Sequence, residues 1–510
     1  MKAVLFKALP AWQSTGQSNR HPPLARQAKS FHVSWLSLGF AFLAFITGTG
    51  TALAVSRFLG PLVTAAAIAG VIVAILTIIR PDLGLLAFIF ATYTRLSDVL
   101  IEYHGAPSIA KPLVALLIAA ILVRWALYQE QPQGWVRPTV LMGVYGLVIF
   151  TSLLYASDFW AAREALSDFI KDAIITVIIV VLMQNIATLR GAVWMLLVAG
   201  ILMGSISVYQ FLTSDWNNAF WGFGQAPVLN LVGTTEGGRV GGPIGDPNFF
   251  AQIMLVLIPL AVMRAGAEKS VPLRLLALWA FAVCALTVMF SYSRGAFVAL
   301  LIMLVAMAVF RPPRPIEVAL ILVMGAGLLR LIPATYTERL LSVADLFSGQ
   351  NDVRSEVSFR GRASELLVGI QMFADHPVLG VGVGNYPTLY QEYSRRIGYD
   401  PRTEAREPHN LFLEVAAENG MAGILIFSAI LWSVFSCMHK SRLAFLKAGL
   451  HPEADLVASL IIAMIGYLSA AFFIHGAYPR FFYLLIGIAL SLPQIAKNTL
   501  ARVNPGSSYA

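Results

Sequence analysis

Apolar runs of membrane length recur along the whole chain, and they restrict the fold more than any other feature of the sequence. Hydrophobic residues make up 58% of the 510 positions and charged residues only 12%, against about 25% charged in soluble globular proteins. A helix that crosses a bilayer needs about 20 largely apolar residues, and by that length the sequence predicts about 12–14 transmembrane helices. The predicted fold class is therefore an all-α integral membrane protein, a polytopic helical bundle.

Applying that length along the chain gives fourteen candidate spans. Only Gly60-Pro61 and Pro81 interrupt the first three apolar runs, so twelve or thirteen spans are the alternatives. The candidate spans are 34–56, 60–79, 83–101, 110–128, 138–156, 168–186, 190–212, 248–266, 274–290, 294–310, 315–333, 420–438, 454–475 and 479–496.

Positive charge is distributed unevenly between the segments that join these spans. With the N-terminus inside, nineteen Lys and Arg residues fall on inner segments and eight on short outer segments and helix edges, as the positive-inside rule requires. The first apolar run is too long for a cleaved signal peptide. The predicted organisation is a cytoplasmic N-terminal tail at 1–33, transmembrane helices at 34–212, a periplasmic loop at 213–247, central helices at 248–333, a long periplasmic loop at 334–408, C-terminal helices at 409–496 and a cytoplasmic tail at 497–510.

Charge and cysteine usage exclude several functional classes. The net charge is +9, but the basic residues are scattered between apolar runs and form no stripe that would bind nucleic acid. Cys284 and Cys437 both lie in apolar runs, which predicts neither a disulfide framework nor a thiolate metal site. The sequence contains no metal-ligand spacing such as HExxH, so we expect no metal catalysis.

The outer segments carry local signals for short helices and turns. Asp246-Pro247-Asn248 predicts a helix start, and a helix from His409 to Glu418 should break at Asn419-Gly420. In the long loop, GVGVGN predicts a flexible turn, and it is no nucleotide loop because it follows no strand. An amphipathic helix on the membrane surface is predicted from apolar residues at helical spacing, which are Leu366, Leu367, Ile370, Met372 and Phe373.

Three residues of the outer face are candidates for chemistry. Arg239 lies between two Gly pairs beside a helix start, where a guanidinium is well placed to hold a phosphate; a glutamate or a lipid headgroup is the alternative partner. Arg294 lies near membrane depth in a turn of a few residues, where an ionisable group is functional unless it snorkels. His409 could take a proton from a hydroxyl, oriented by Glu414 or Glu418, or could simply cap a helix.

Four motifs in a fixed order carry a resemblance to a known family. They read RVGGPIGDPNFFAQ, SYSRGAFVALL, SFRGRASELLVGIQMFADHPVLGVGVGNY and HNLFLEVAAENGMAG. Together they closely resemble the O-antigen ligase family of bacterial envelope proteins, which also includes O-antigen and exopolysaccharide polymerases. The resemblance covers roughly residues 190–440, and the first spans share only hydropathy with the family.

The resemblance implies a membrane glycosyltransferase of the GT-C type in the bacterial inner membrane, with its active site facing the periplasm and no cofactor. The donor would be a glycan on undecaprenyl pyrophosphate. The acceptor would be a glycan, a lipid A-core or a protein. Membrane lipids and envelope polysaccharide assembly proteins would be further partners.

The family's motif residues are also carried over by the resemblance. Arg239 and Arg294 would bind the pyrophosphate, and His409 would act as the base that deprotonates the acceptor hydroxyl. The secondary candidates for substrate contacts are Arg360, Arg362 and Asn410.

Several functions stay open on the sequence alone. Nothing in it separates a ligase from a polymerase of the same family. A small-anion transporter is the alternative from another class, since some relatives carry that label; it is disfavoured because the charges gather at the outer face and mid-span carboxylates are largely absent. A non-catalytic envelope scaffold is the third alternative, and it predicts that Arg294 and His409 tolerate replacement.

Overall fold

The computed structural model describes residues 61–226, 238–310, 357–399, 404–476 and 479–503, with a few positions between 312 and 319. These residues are largely α-helical, and among them there is no β-strand. The all-α polytopic bundle is thereby confirmed. The predicted span 34–56 lies outside the described residues, as does nearly all of the predicted span 315–333.

The chain divides into two compact units, residues 1–71 and residues 72–510. Of the first unit the structure describes only the start of the first helix. The helices are α1 (Pro61–Ile79), α2 (Pro81–Tyr93), α3 (Leu96–His104), α4 (Ala110–Tyr128), α5 (Val136–Thr151), α6 (Phe159–Leu182), α7 (Ile186–Thr213), α8 (Pro247–Ala267), α9 (Val271–Phe290), α10 (Arg294–Phe310), α11 (Val357–Asp375), α12 (Tyr386–Ile397), α13 (Leu411–Lys447), α14 (His451–Ala470) and α15 (Pro479–Val503).

Eight helices among the described residues are long and apolar enough to cross a membrane, or nine if the bent pair α2 and α3 forms one span. The eight are α4, α5 with the turn that follows it, α7, α8, α9, α13, α14 with the turn that follows it, and α15.

The span predicted at 83–101 is bent in the structure. Helices α2 and α3 meet at an angle of 55°, because Arg95 adopts a left-handed conformation with φ of 52° and interrupts the helical hydrogen bonds. Its guanidinium donates to Asp98 at 3.0 Å and to the carbonyl oxygen of Pro243 at 3.0 Å. The bend therefore fastens α2 and α3 to the segment that leads into α8.

Helix α8 lies at the centre of the bundle. Nearly all of its side chains are buried, and it packs against α7, α9, α10 and α14. Asp246 caps it: the carboxylate accepts hydrogen bonds from the backbone N–H groups of Asn248 and Phe249, as the predicted helix start requires. The start of α8 is thereby fixed among the ends of its neighbours.

Helix α6 begins earlier than the predicted span at 168–186. Asp158 caps it, and its first half is polar. Asp172 is buried and pairs with Arg480, at the start of α15, at 3.2 Å. The paired cation offsets the cost of removing the carboxylate from water.

Helix α13 breaks at Gly420, where φ is 60° and ψ is −158°. A Cβ atom at Gly420 would lie 2.5 Å from the carbonyl of Val378, so only glycine allows the two backbones to approach. Across this contact Val381 donates a backbone hydrogen bond to Ala417, and Gly382 donates one to Glu418, each at 2.9 Å. The break predicted at Asn419-Gly420 is confirmed. The prediction that GVGVGN forms a flexible turn is wrong, because these hydrogen bonds fix it against α13.

Helix α11 is confirmed as a helix that ends at Asp375. Leu366, Leu367 and Ile370 are exposed, as a membrane-facing stripe requires, but Met372 is fully buried. Its inner face packs against α12 and α13. One face of α11 is therefore available for lipid while the other belongs to the site described next.

Candidate active site

Arg239 joins two of the motifs directly. Its Nε donates a hydrogen bond to the carbonyl oxygen of Ser291 at 2.6 Å, and its Nη2 donates to Oδ1 of Asn248 at 3.2 Å. Ser291 begins the turn before α10, and Asn248 lies in the first turn of α8. The guanidinium thus ties the GGRVGG segment to the starts of two helices.

Arg294 is the first residue of α10, directly after a turn of three residues. Tyr292 in this turn has a φ of 51°, and Oγ of Ser293 accepts a hydrogen bond from the backbone N–H of Ala296. Next to Arg294, a Cβ atom at Gly295 would lie 2.5 Å from Cβ of Phe473. The close packing holds the start of α10 against the turn that follows α14.

Arg362 lies close enough to Arg294 for the two charges to oppose each other. Burial, and next the positive charge of Arg294, lower the pKa of the Arg362 guanidinium, while Glu365 and Asp246 act in the opposite direction. Arg360 is exposed and lies on another face of α11; the described residues give it no hydrogen bond or ion pair to this cluster. Two of the predicted arginines therefore share one electropositive location, and Arg360 stands apart from it.

Glu365 is the residue that holds His409. Its side chain is 1% exposed; Oε1 lies 3.0 Å from Nη1 of Arg406, and Oε2 lies 2.9 Å from Nδ1 of His409. The approach to His409 is close, but the angle is not that of a hydrogen bond, so the contact is electrostatic. The carbonyl oxygen of Glu365 accepts a hydrogen bond from the hydroxyl of Tyr386 at 2.5 Å. Arg406 thus holds the carboxylate of Glu365, and Tyr386 holds its backbone.

His409 lies just outside α13, with a φ of 42°. The prediction that it begins the helix is wrong, because Asn410 is the N-cap and accepts a hydrogen bond from the N–H of Leu413 at 3.0 Å. Nδ1 of His409 faces two acceptors, the Glu365 carboxylate and the carbonyl oxygen of Glu407 at 3.1 Å. In the neutral ring these acceptors favour the proton on Nδ1, which leaves the lone pair of Nε2 for a base.

Glu414 and Glu418 do not orient His409, so that prediction is wrong. Glu414 accepts a hydrogen bond from the N–H of Gly476 at 2.6 Å. Glu418 accepts one from the N–H of Tyr386 at 3.1 Å. Both carboxylates are thus engaged by backbone N–H groups, and among the described residues neither forms a hydrogen bond with the His409 ring.

His475 is a second histidine of the site. Its ring centroid lies 5.5 Å from that of His409 and 5.1 Å from that of Phe249, the third residue of α8. Burial, and next the nearby His409, lower the pKa of His475 to about 3. His475 is therefore neutral near pH 7 and adds no positive charge beside the candidate base.

Sequence reasoning missed both Glu365 and His475. Glu365 lies three residues after Arg362, on a helix face that carries Val368 and Met372, and all three side chains are fully or almost fully buried. A carboxylate on the apolar face of an amphipathic helix is the signal that could have identified it. His475 lies in a short link between two apolar runs, in the same kind of position as Arg294.

We expect Glu365→Gln to lower kcat for glycan transfer by about 100-fold, within the range of general-base effects. The glutamine retains an acceptor near Nδ1 of His409 but loses the charge that favours the imidazolium formed during proton transfer. The donor KM should stay within about threefold, because the variant removes transition-state rather than ground-state stabilisation.

The measurement is steady-state transfer by purified variants in proteoliposomes. Glu392→Gln, on the exposed side of α12, is the matched control and should retain full activity. An equal fall in activity for both variants, or none for Glu365→Gln, would refute the positioning role.

A family model described as O-antigen ligase matches residues 279–428, less than a third of the chain. The matched segment includes Arg294, Arg362, Glu365 and His409, and it excludes Arg239 and His475. No curated protein matches the chain. Members of the matching family are glycosyltransferase-like membrane enzymes. On this match, residues 279–428 are similar to the O-antigen ligase family, and an all-α polytopic bundle surrounds them.

Proposed function

We propose that the protein transfers a glycan from undecaprenyl pyrophosphate to an acceptor hydroxyl at the periplasmic face of the inner membrane, without a metal. The observation that carries the proposal is the pairing of an electropositive cluster with an oriented base. Arg294 and Arg362 oppose each other's charge, and an anion bound between them would relieve that repulsion. His409 lies beside the same cluster, because Glu365 contacts it and lies one helical turn from Arg362.

The reaction follows from this arrangement. Nε2 of His409 takes the proton of the acceptor hydroxyl, and the hydroxyl oxygen forms a bond to the anomeric carbon. The bond from that carbon to the pyrophosphate oxygen breaks, and its electron pair stays on the pyrophosphate. Fixed guanidinium groups stabilise the negative charge that develops there. Attack from the face opposite the leaving group inverts the anomeric configuration.

The two arginines of the motifs have distinct parts in this proposal. Arg239 holds the start of α8 against the turn before α10 through Asn248 and Ser291, so it shapes the site and contributes charge. Arg294 stands at the start of α10 and contributes a bidentate fork, which suits phosphate oxygens better than an ammonium does.

The envelope glycans of a deletion strain test the proposal. Full-length chains that accumulate on the lipid carrier and are missing from the lipopolysaccharide indicate a ligase. Single repeat units in place of a ladder, or loss of a secreted polymer, indicate a polymerase. An unchanged glycan profile, with wild-type complementation as control, would contradict glycan transfer of either kind.

A further inference from the structure

A cavity of about 300 Å³ lies beside His409, between α5, α6, α13, α14 and α15. Its wall includes Glu407 and Leu411, which lie on either side of His409 in the chain, and His475, whose ring packs against that of His409. Ligand sites have volumes of roughly 300–1,000 Å³, so the cavity is suited to a small group such as one sugar unit.

The wall combines carboxylates, amides and tyrosines. The residues that define its chemistry are Glu407, Glu414, Asn419, Gln252, Tyr145 and Tyr467. Carboxylate and amide oxygens accept hydrogen bonds from hydroxyl groups, and tyrosine rings offer an apolar face with a polar edge. The wall therefore offers both kinds of surface that a sugar ring presents.

Two polar groups of this wall lack protein partners. One oxygen of Glu414 accepts from the N–H of Gly476, and among the described residues the other oxygen has no hydrogen bond. Oδ1 of Asn419 is also unpaired among the described residues, although its side chain is only 3% exposed. A buried acceptor without a donor is destabilising, so a ligand that brings hydroxyl donors would be favoured here.

The side chains of the cavity indicate which substrate it takes. Its described lining contains no arginine or lysine that would hold a pyrophosphate, whereas Arg294 and Arg362, which suit one, lie near Glu365. A neutral, hydroxyl-rich group therefore suits this lining, next to the candidate base, better than an anion does.

We propose that this cavity binds the sugar unit of the acceptor and that Glu414 holds one of its hydroxyl groups. The inference rests on the proposed function, because it is His409 that makes the neighbouring position the acceptor side. It assigns donor and acceptor to opposite sides of His409. Arg294 and Arg362 bind the pyrophosphate of the donor, and the cavity binds the sugar of the acceptor.

The test is a binding measurement on the full-length protein in nanodiscs, in the His409→Ala background so that no turnover occurs. The acceptor probe is an oligosaccharide released from the strain's own envelope glycan and labelled at its reducing end. Undecaprenyl pyrophosphate without a sugar is the donor-side probe. Glu414→Gln keeps an oxygen for the N–H of Gly476 and replaces the carboxyl group that lines the cavity by an amide.

We expect Glu414→Gln to weaken oligosaccharide binding by roughly tenfold, since it removes one acceptor oxygen from the cavity and a single hydrogen bond contributes about that much. Binding of undecaprenyl pyrophosphate should not change. Tyr145→Phe, which keeps the ring that packs edge to face on Phe169 at 5.5 Å, should also weaken oligosaccharide binding. Glu453→Gln is the matched control, because Glu453 pairs with Arg190 outside the cavity.

Oligosaccharide binding that is unchanged in both cavity variants would overturn the inference. Parallel loss of both probes would also overturn it, since that result indicates a structural role for Glu414. The proposed function is tested separately. If the wild-type protein binds the oligosaccharide through Glu414 but transfers no glycan, the sugar site stands and the proposed transfer reaction is refuted.

Discussion

His409→Ala should abolish measurable glycan transfer, because it removes the only imidazole that contacts Glu365 in the part of the chain that the structure describes. General-base catalysis contributes about 10²–10⁴ in rate, and no neighbouring group replaces it: His475 is too weak a base, since its pKa lies at about 3. The measurement is transfer of a labelled glycan in proteoliposomes, with membrane insertion and thermal unfolding followed in parallel.

The left-handed backbone conformation of His409 makes a second variant, His409→Gly, informative. Its φ of 42° costs a residue with a Cβ atom about 1–2 kcal/mol, a strain that alanine keeps and glycine removes. His409→Gly should therefore be at least as stable as the wild type and still inactive. His376→Ala, at the exposed end of α11, is the matched histidine control. Normal transfer by either His409 variant would eliminate the histidine as the base.

Arg294→Lys should be nearly as damaging, with a fall of about 100-fold in kcat/KM for the donor. Lysine keeps the positive charge, so the variant would retain activity if Arg294 acted only through its charge. A lysine cannot present two parallel N–H donors to phosphate oxygens, and its ammonium would stand at a different depth in front of Arg362. Arg395→Lys, in the exposed last turn of α12, should behave as wild type.

Whether KM or kcat changes in Arg294→Lys separates two roles for Arg294. If it binds the pyrophosphate equally in ground and transition states, the donor KM rises and kcat is unchanged; if it stabilises the leaving group, kcat falls. We expect the fall in kcat. Full activity in Arg294→Lys would remove this arginine from the site and favour an interfacial role in its place.

Local signals made parts of the fold predictable. Asp246-Pro247 marks the start of α8 because a carboxylate followed by proline satisfies the first N–H groups of a helix. Asn419-Gly420 marks the break in α13 because glycine readily adopts the non-helical backbone angles found there, with φ of 60° and ψ of −158°. These features depend on a few adjacent residues, so the sequence contains what is needed to infer them.

The contacts within the site could not be predicted in the same way. Glu365 and His409 are separated by 44 residues in the sequence, and they meet only because α11 packs against the start of α13. The bend at Arg95 depends on a carbonyl oxygen of Pro243, far along the chain. The turn at GVGVGN carries glycines that favour flexibility, but its order comes from hydrogen bonds to Ala417 and Glu418. Each case is decided by partners that lie outside any local window.

Transfer by the purified protein is the most direct test of the central claim. The protein would be reconstituted without added metal, in the presence of a chelator, with a defined undecaprenyl-pyrophosphate glycan and the strain's own acceptor. We predict that the wild type forms a new glycosidic bond with inverted anomeric configuration and releases undecaprenyl pyrophosphate, and that His409→Gly does neither. A product that retains the anomeric configuration, or equal release by His409→Gly, would contradict the account.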